Sequence, residues 1–323
     1  MGGRKGGDQL AGWQALPSLL AALLLLVVGC AAGGSDATPR AEESSEPAST
    51  GEARVISVPD TSAADEAETT SLEGGREATA RAEPEVPDDP FGDDPRASGG
   101  VGGEADGILG IRFGAHEGYE RVVVDLGEGS GRAAAVPKWR LESPEGDGLL
   151  RVSVPSAEAT ATSDGELGGG LVERYYVVRA PDGGMFVDFF AREAFVYRVV
   201  ELSDPARLAV DFRPTGYPLA VPLPARGGNT VLVRPRDGER VGDPFTISGY
   251  SRTFEASNSI SLFGPSGEVL AQKTATGNDW SETWGYFETS LQRPAALARG
   301  ATLQVGAYGA RDGTFEGVEI KVF

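Results

Sequence analysis

The sequence predicts an all-β protein: two tandem β-sandwich domains behind a signal peptide and a disordered acidic linker. Three observations carry this. From Gly107 onward, short runs of β-branched and aromatic residues alternate with clusters of Gly, Pro and Asp, the pattern of strands and turns. No stretch there has the periodicity of an amphipathic helix. Ahead of it, Ala31 to Asp106 holds 19 acidic against 5 basic side chains and almost no large apolar residue. The expected boundaries are a signal peptide over 1–29, a disordered acidic tether over 30–106, a first sandwich over 107–214, a Pro-rich hinge over 215–228 and a second sandwich over 229–323.

Arg4 and Lys5 precede an apolar segment of about 15 residues, the layout of a secretory signal. That segment is shorter than the ~20 residues of a membrane span. It ends in Leu26-Val27-Val28-Gly29-Cys30, and Cys30 is the only cysteine. The ending resembles a bacterial lipoprotein signal, which implies that the Cys30 thiol receives a diacylglycerol and becomes the mature N-terminus. An ordinary signal with a chance cysteine is the alternative. Under the lipoprotein reading the protein is extracytoplasmic and anchored to the cell membrane through lipid on Cys30. The mature chain then has no thiol left for a disulfide. One acyl chain anchors only marginally, so stable attachment needs the several that such maturation supplies.

Segments such as Pro87-Asp88-Asp89-Pro90-Phe91-Gly92-Asp93-Asp94 bury too little surface to offset their ordering entropy. The tether has an expected span of ~50 Å. The cluster from Asp88 to Asp94 lacks the ligand spacing of a calcium loop and reads as solvated linker. Most of the net charge of −19 resides in this tether. With no basic stripe evident, the balance argues against nucleic acid and against electrostatic adhesion to anionic lipid.

In the first unit the expected strands are 108–114, 121–126, 149–154, 172–179, 185–189, 196–202 and 208–212, with 157–170 a long loop. One pattern recurs: Arg121-Val122-Val123-Val124-Asp125-Leu126 returns as Arg207-Leu208-Ala209-Val210-Asp211-Phe212, with a partial copy at Phe186-Val187-Asp188-Phe189. Alternation puts Val122, Val124 and Leu126 on one face and Arg121 and Asp125 on the other. Matching carboxylates in two strands suit a glycoside hydrolase pair, or simply outward acids paired with arginine. The opening strand and the ending Pro205-Ala206-Arg207-Leu208-Ala209-Val210-Asp211-Phe212 resemble AMIN and AMIN-like domains. That resemblance implies a β-sandwich of the bacterial envelope, of the kind that places amidases and secretion components at the cell wall. No amidase domain follows here.

The second unit offers seven short strands in about 95 residues: 230–234, 245–250, 259–263, 269–274, 285–291, 302–308 and 317–323. Their spacing is the cue for an immunoglobulin-like sandwich without the antibody cysteines. Five landmarks then follow in order: Pro235-Arg236-Asp237-Gly238 leading to Ile247-Ser248-Gly249-Tyr250, Phe254-Glu255-Ala256, Pro265-Ser266-Gly267-Glu268, Trp284-Gly285-Tyr286-Phe287 and Ala310-Arg311-Asp312-Gly313. They resemble the immunoglobulin-like domain associated with bacterial spore germination proteins, which implies an envelope lipoprotein without catalytic residues.

His116 is the only histidine, in a turn, so neither a serine–histidine relay nor a zinc site of ordinary composition is available. No catalytic residue, metal ligand or cofactor site is expected. Binding rests on Trp280 and Trp284, two indoles in a polar loop that suit stacking on sugar rings. Trp284, beside Gly285 and Phe287, also reads as a core residue. Tyr175, Tyr176, Phe189, Phe190 and Phe195 read as core, with one of each adjacent pair free to face solvent. The expected function is non-catalytic binding or scaffolding at the cell wall, through peptidoglycan or a wall-associated envelope protein. The alternative is an accessory lipoprotein in sporulation or germination that acts through protein contacts.

Overall fold

The computed structural model describes residues 90–143, 147–295, 297 and 300–323, all within one compact unit. The signal peptide, Cys30 and the tether up to residue 89 lie outside the described residues. The first module contains β1 (Arg96–Gly99), β2 (Gly107–His116), β3 (Tyr119–Glu128), β4 (Gly131–Arg132), β5 (Trp139–Glu142) and β6 (Leu149–Val154). It continues with β7 (Ala159–Thr160), β8 (Asp164–Glu166), β9 (Val172–Arg179), β10 (Met185–Ala191), β11 (Phe195–Leu202) and β12 (Arg207–Pro214). The second module contains β13 (Ala225–Gly227), β14 (Thr230–Arg234), β15 (Phe245–Ser251), β16 (Ser257–Phe263), β17 (Val269–Thr276), β18 (Trp284–Leu291), β19 (Ala301–Tyr308) and β20 (Phe315–Val322). Phe254–Ala256 forms a 3₁₀ turn, and residues 295 and 297 also have 3₁₀ geometry. The fold is all-β, as the alternating pattern required.

Three sheets form two sandwiches. Sheet A runs β11-β12-β3-β2-β7, with β4 on β3. Sheet B runs β1-β5-β6-β10-β9-β18-β15-β14-β13, with β8 on β9, and so passes through both modules. Sheet C is β17-β16-β19-β20. The first core lies between sheets A and B, where Val122, Val124, Leu208, Val210 and Phe212 meet Leu150, Val152, Val177, Val187 and Phe189. The second lies between sheets B and C, around Leu232, Ile247, Phe287, Leu262, Leu303 and Val305. Alternation along each strand feeds one core and leaves the other face free.

Strand β10 breaks that alternation, since all seven of its residues are buried. Its inner face packs in the first core, and its outer face meets the second module. There Leu149, Tyr176, Val178, Phe186 and Phe190 share an apolar cluster with Val231, Val233, Tyr250 and Trp284. Both members of the Tyr175–Tyr176 and Phe189–Phe190 pairs are therefore buried, and neither pair presents a ring to solvent. The modules are joined by backbone as well: β9 and β18 pair in parallel, Trp284 opposite Val178 and Gly285 opposite Arg179. Asp147 and Arg236 add an ion pair at 3.2 Å across the same interface.

Three expected boundaries are corrected. The tether does not extend to residue 106. Gly92 pairs with Tyr197 on the edge of sheet A, and β1 pairs with β5 on the edge of sheet B. This strap closes the open side of the sandwich because both edges offer unpaired backbone groups. Polar side chains do not prevent it, since the bonds are main-chain. Gly100, which follows, has φ +89°, and a Cβ there would lie 1.9 Å from the Pro137 carbonyl oxygen, so glycine alone fits. The segment 215–228 is likewise no free hinge: β13 pairs with β14 inside it, and Leu223 packs on the shared cluster. The segment 157–170 contains β7 and β8, which pair with β2 and β9.

Candidate binding surface

The second module presents exposed aromatics at one end. After β15 the chain makes the 3₁₀ turn, in which Glu255 and Ala256 both have φ of 55°. Left-handed backbone at two non-glycine residues is costly and persists where surroundings impose it. Here the Ala256 carbonyl accepts the Gly277 N–H at 2.8 Å, and its own N–H donates to Thr253. The turn pushes Phe254 outward, 73 % exposed. Its ring meets the edge of Trp280 at 5.2 Å, and Trp280 is 40 % exposed.

Asp279 fixes the Trp280 loop. One carboxylate oxygen accepts the N–H groups of Trp280, Ser281 and Glu282 at 2.6, 3.0 and 3.2 Å, and the other takes the Arg179 guanidinium. Burial alone would raise its pKa, but these donors together hold it below the ordinary carboxylate value. Across the end of the module Tyr308, half exposed, packs edge-on against Phe315 at 5.4 Å. A cleft of about 500 Å³ opens between Phe254 and Tyr308, lined also by Asn229, Glu255, Ser259 and Glu316. Ring faces beside amide, hydroxyl and carboxylate groups allow stacking with directed hydrogen bonds, the means of holding a sugar or a peptide.

The two tryptophans expected to act together are separated. Trp284 is 6 % exposed, its indole N–H donates to Asp164 at 3.0 Å, and its ring meets Tyr176 and Tyr250 edge-on. Of its two expected readings the core one describes it, at the interface, because the first module covers the start of β18. Trp280 stays at the surface, packed against Phe254. The sequence singled out Phe254 only as part of the landmark Phe254-Glu255-Ala256.

The recurring aspartates prove to be arginine partners. Asp211 is fully buried and accepts from Arg121 at 2.6 and 2.9 Å and from Arg198 at 2.7 Å. Asp125 pairs with Arg112, and buried Asp188 with Arg151. Asp125 lies opposite Arg207 and Asp211 opposite Arg121. The two carboxylates thus sit about 13 Å apart along the strands, beyond the spacing of a glycosidase pair. His116 stacks on Tyr119 at the β2–β3 turn, centroids 4.7 Å apart.

Residues 230–314 match the immunoglobulin-like domain of bacterial spore germination. Phe254, Trp280 and Tyr308 all fall inside the matched range, so the aromatic end belongs to this germination-type module. No curated protein and no solved structure gives a significant match to the chain.

Proposed function

We propose that the chain is a non-catalytic, lipid-anchored protein of the bacterial envelope that binds at the cell wall through the aromatic end of its germination-type module. The observation that carries this reading is the cleft between Phe254 and Tyr308, with Trp280 packed on the Phe254 ring beside it, all three being exposed large apolar side chains. Exposed aromatics grouped with polar rims mark binding surfaces. Lipid on Cys30 supplies the anchor, and the acidic tether supplies reach. The AMIN-like pattern of β3 and β12 supports a wall-directed role for the first module, since its two framing strands lie side by side in register.

The test is co-sedimentation of the mature chain with protein-free peptidoglycan sacculi at physiological salt. Saturable binding that falls about tenfold, or ~1.4 kcal/mol, in Trp280→Ala and Phe254→Ala is expected. Absence of binding would remove wall glycan as the ligand. The match over residues 230–314 favours one second reading, an accessory role in sporulation or germination through protein contacts. Crosslinking from position 308 to an envelope protein in cells, without sedimentation on sacculi, would select it.

A further inference from the structure

The outer face of sheet A is basic, contrary to the expectation that the chain has no basic stripe. Strand register sets out the face in rows: Arg207 beside Asp125, Arg198 and Arg121 on either side of Asp211, and Arg112 beside Val123. Arg213 follows two residues after Asp211 on the same face. Five guanidiniums therefore share the face with two carboxylates. Of the other acids within these strands, Glu120 turns away to accept the N–H groups of Gly170, Leu171 and Val172, Glu201 to accept those of Gly100 and the Trp139 indole, and Glu128 is the exposed last residue of β3.

The arginines are held in place. Asp211 is shared by Arg121 and Arg198, and Arg112 is engaged by Asp125. The Phe91 ring lies 4.7 Å from the Arg198 guanidinium and 4.3 Å from that of Arg213, and Tyr119 lies within 5.7 Å of Arg121. Arg207 and Arg213 pair with no carboxylate among the described residues; Arg207 donates to the Pro205 carbonyl at 3.2 Å. A shallow cavity of about 240 Å³ lies among Arg112, His116, Arg121 and Arg207.

We propose that this face binds a linear polymer of phosphodiester-linked units in the cell envelope. Guanidinium forks match phosphate oxygens, and arginines fixed by aromatic and carboxylate neighbours lose little freedom on binding. Arg207 and Arg213 stand six positions apart on one strand, about 20 Å, which is more than one phosphate spans. A chain of net charge −19 has no general affinity for polyanions, so any such binding must be local. The extracytoplasmic reading of the chain selects a wall polymer over nucleic acid. The site is on the other module from the aromatic cleft, so its failure leaves the wall-binding reading untouched.

The experiment is titration of the mature chain with inorganic polyphosphate at low salt. Binding that weakens with added salt is expected, as counterion release requires. The Arg207→Ser/Arg213→Ser double variant, which breaks no ion pair, should bind at least tenfold more weakly with an unchanged unfolding temperature. Arg112→Ser should weaken binding as well, and Trp280→Ala should not. No binding, or equal binding by the double variant, would overturn the proposal. So would equal competition by orthophosphate at the same phosphate concentration, or tighter arginine-dependent binding to phosphatidylglycerol vesicles or DNA.

Discussion

Asp211 and Asp125 occupy equivalent places in the repeated Val-Asp pattern and do different work. Asp211 is fully buried beneath two guanidiniums, while Asp125 faces an Arg112 side chain that is 56 % exposed. Removing a buried partner leaves charge without compensation, whereas an exposed pair is screened by water. Asp211→Ala should therefore cost about 3–5 kcal/mol in urea unfolding, and Asp125→Ala less than ~1 kcal/mol. Alternation in the sequence revealed that both acids point away from the core. It did not reveal the burial of Asp211, which arises from arginine arms on the two neighbouring strands.

The loop from Gly277 to Thr283 acts as the clamp between modules. The Asn278 side-chain amide donates to the carbonyls of Arg179 and Ala180 at 3.1 and 2.9 Å, and the Thr283 hydroxyl to that of Val177 at 2.6 Å. Asp279 adds the Arg179 ion pair at 3.1 Å. Because the folded pKa of Asp279 is depressed, its contribution is complete above the unfolded value, about 3.9. It is lost as pH falls through the folded value. Between pH 6 and pH 3 the wild type should lose more thermal stability than Asp279→Asn, as read by differential scanning calorimetry. The sequence marked this segment as a polar loop before a strand. Its docking partner was not legible, because a parallel pairing across more than 100 residues leaves no local signal.

The two modules form one body. Sheet B runs through both, and the shared cluster gives them a common apolar interior. The two modules should unfold in a single calorimetric transition. Trp284→Ala removes the ring between Tyr176 and Tyr250, at a cost of about 3–5 kcal/mol. It should split that transition into two as the modules part. Two sandwiches and their main strands were legible because each buries one alternating face. The run Met185-Phe186-Val187-Asp188-Phe189-Phe190 is apolar on both faces apart from Asp188, yet it read as leaving one of Phe189 and Phe190 free for solvent, because nothing local shows what covers the second face. The Pro-rich segment looked like a swivel because Leu223 packs on a cluster built by distant strands, although its β13–β14 pairing is local.

The strap from Pro90 to Gly99 also governs how the molecule takes a mechanical load. Tension on the chain ahead of Pro90 arrives first at the Phe91 ring and the Gly92–Tyr197 bridge, two hydrogen bonds of 2.9 Å, and then at the longer β1–β5 ladder. Both are edge contacts that peel one after another, so a segment of ten residues, about 30 Å long when extended, is released as slack. Neither sandwich core bears force until that slack is spent. Peeling also lifts Phe91 from Arg198 and Arg213, so a taut chain loosens the arginine face that a slack one holds rigid.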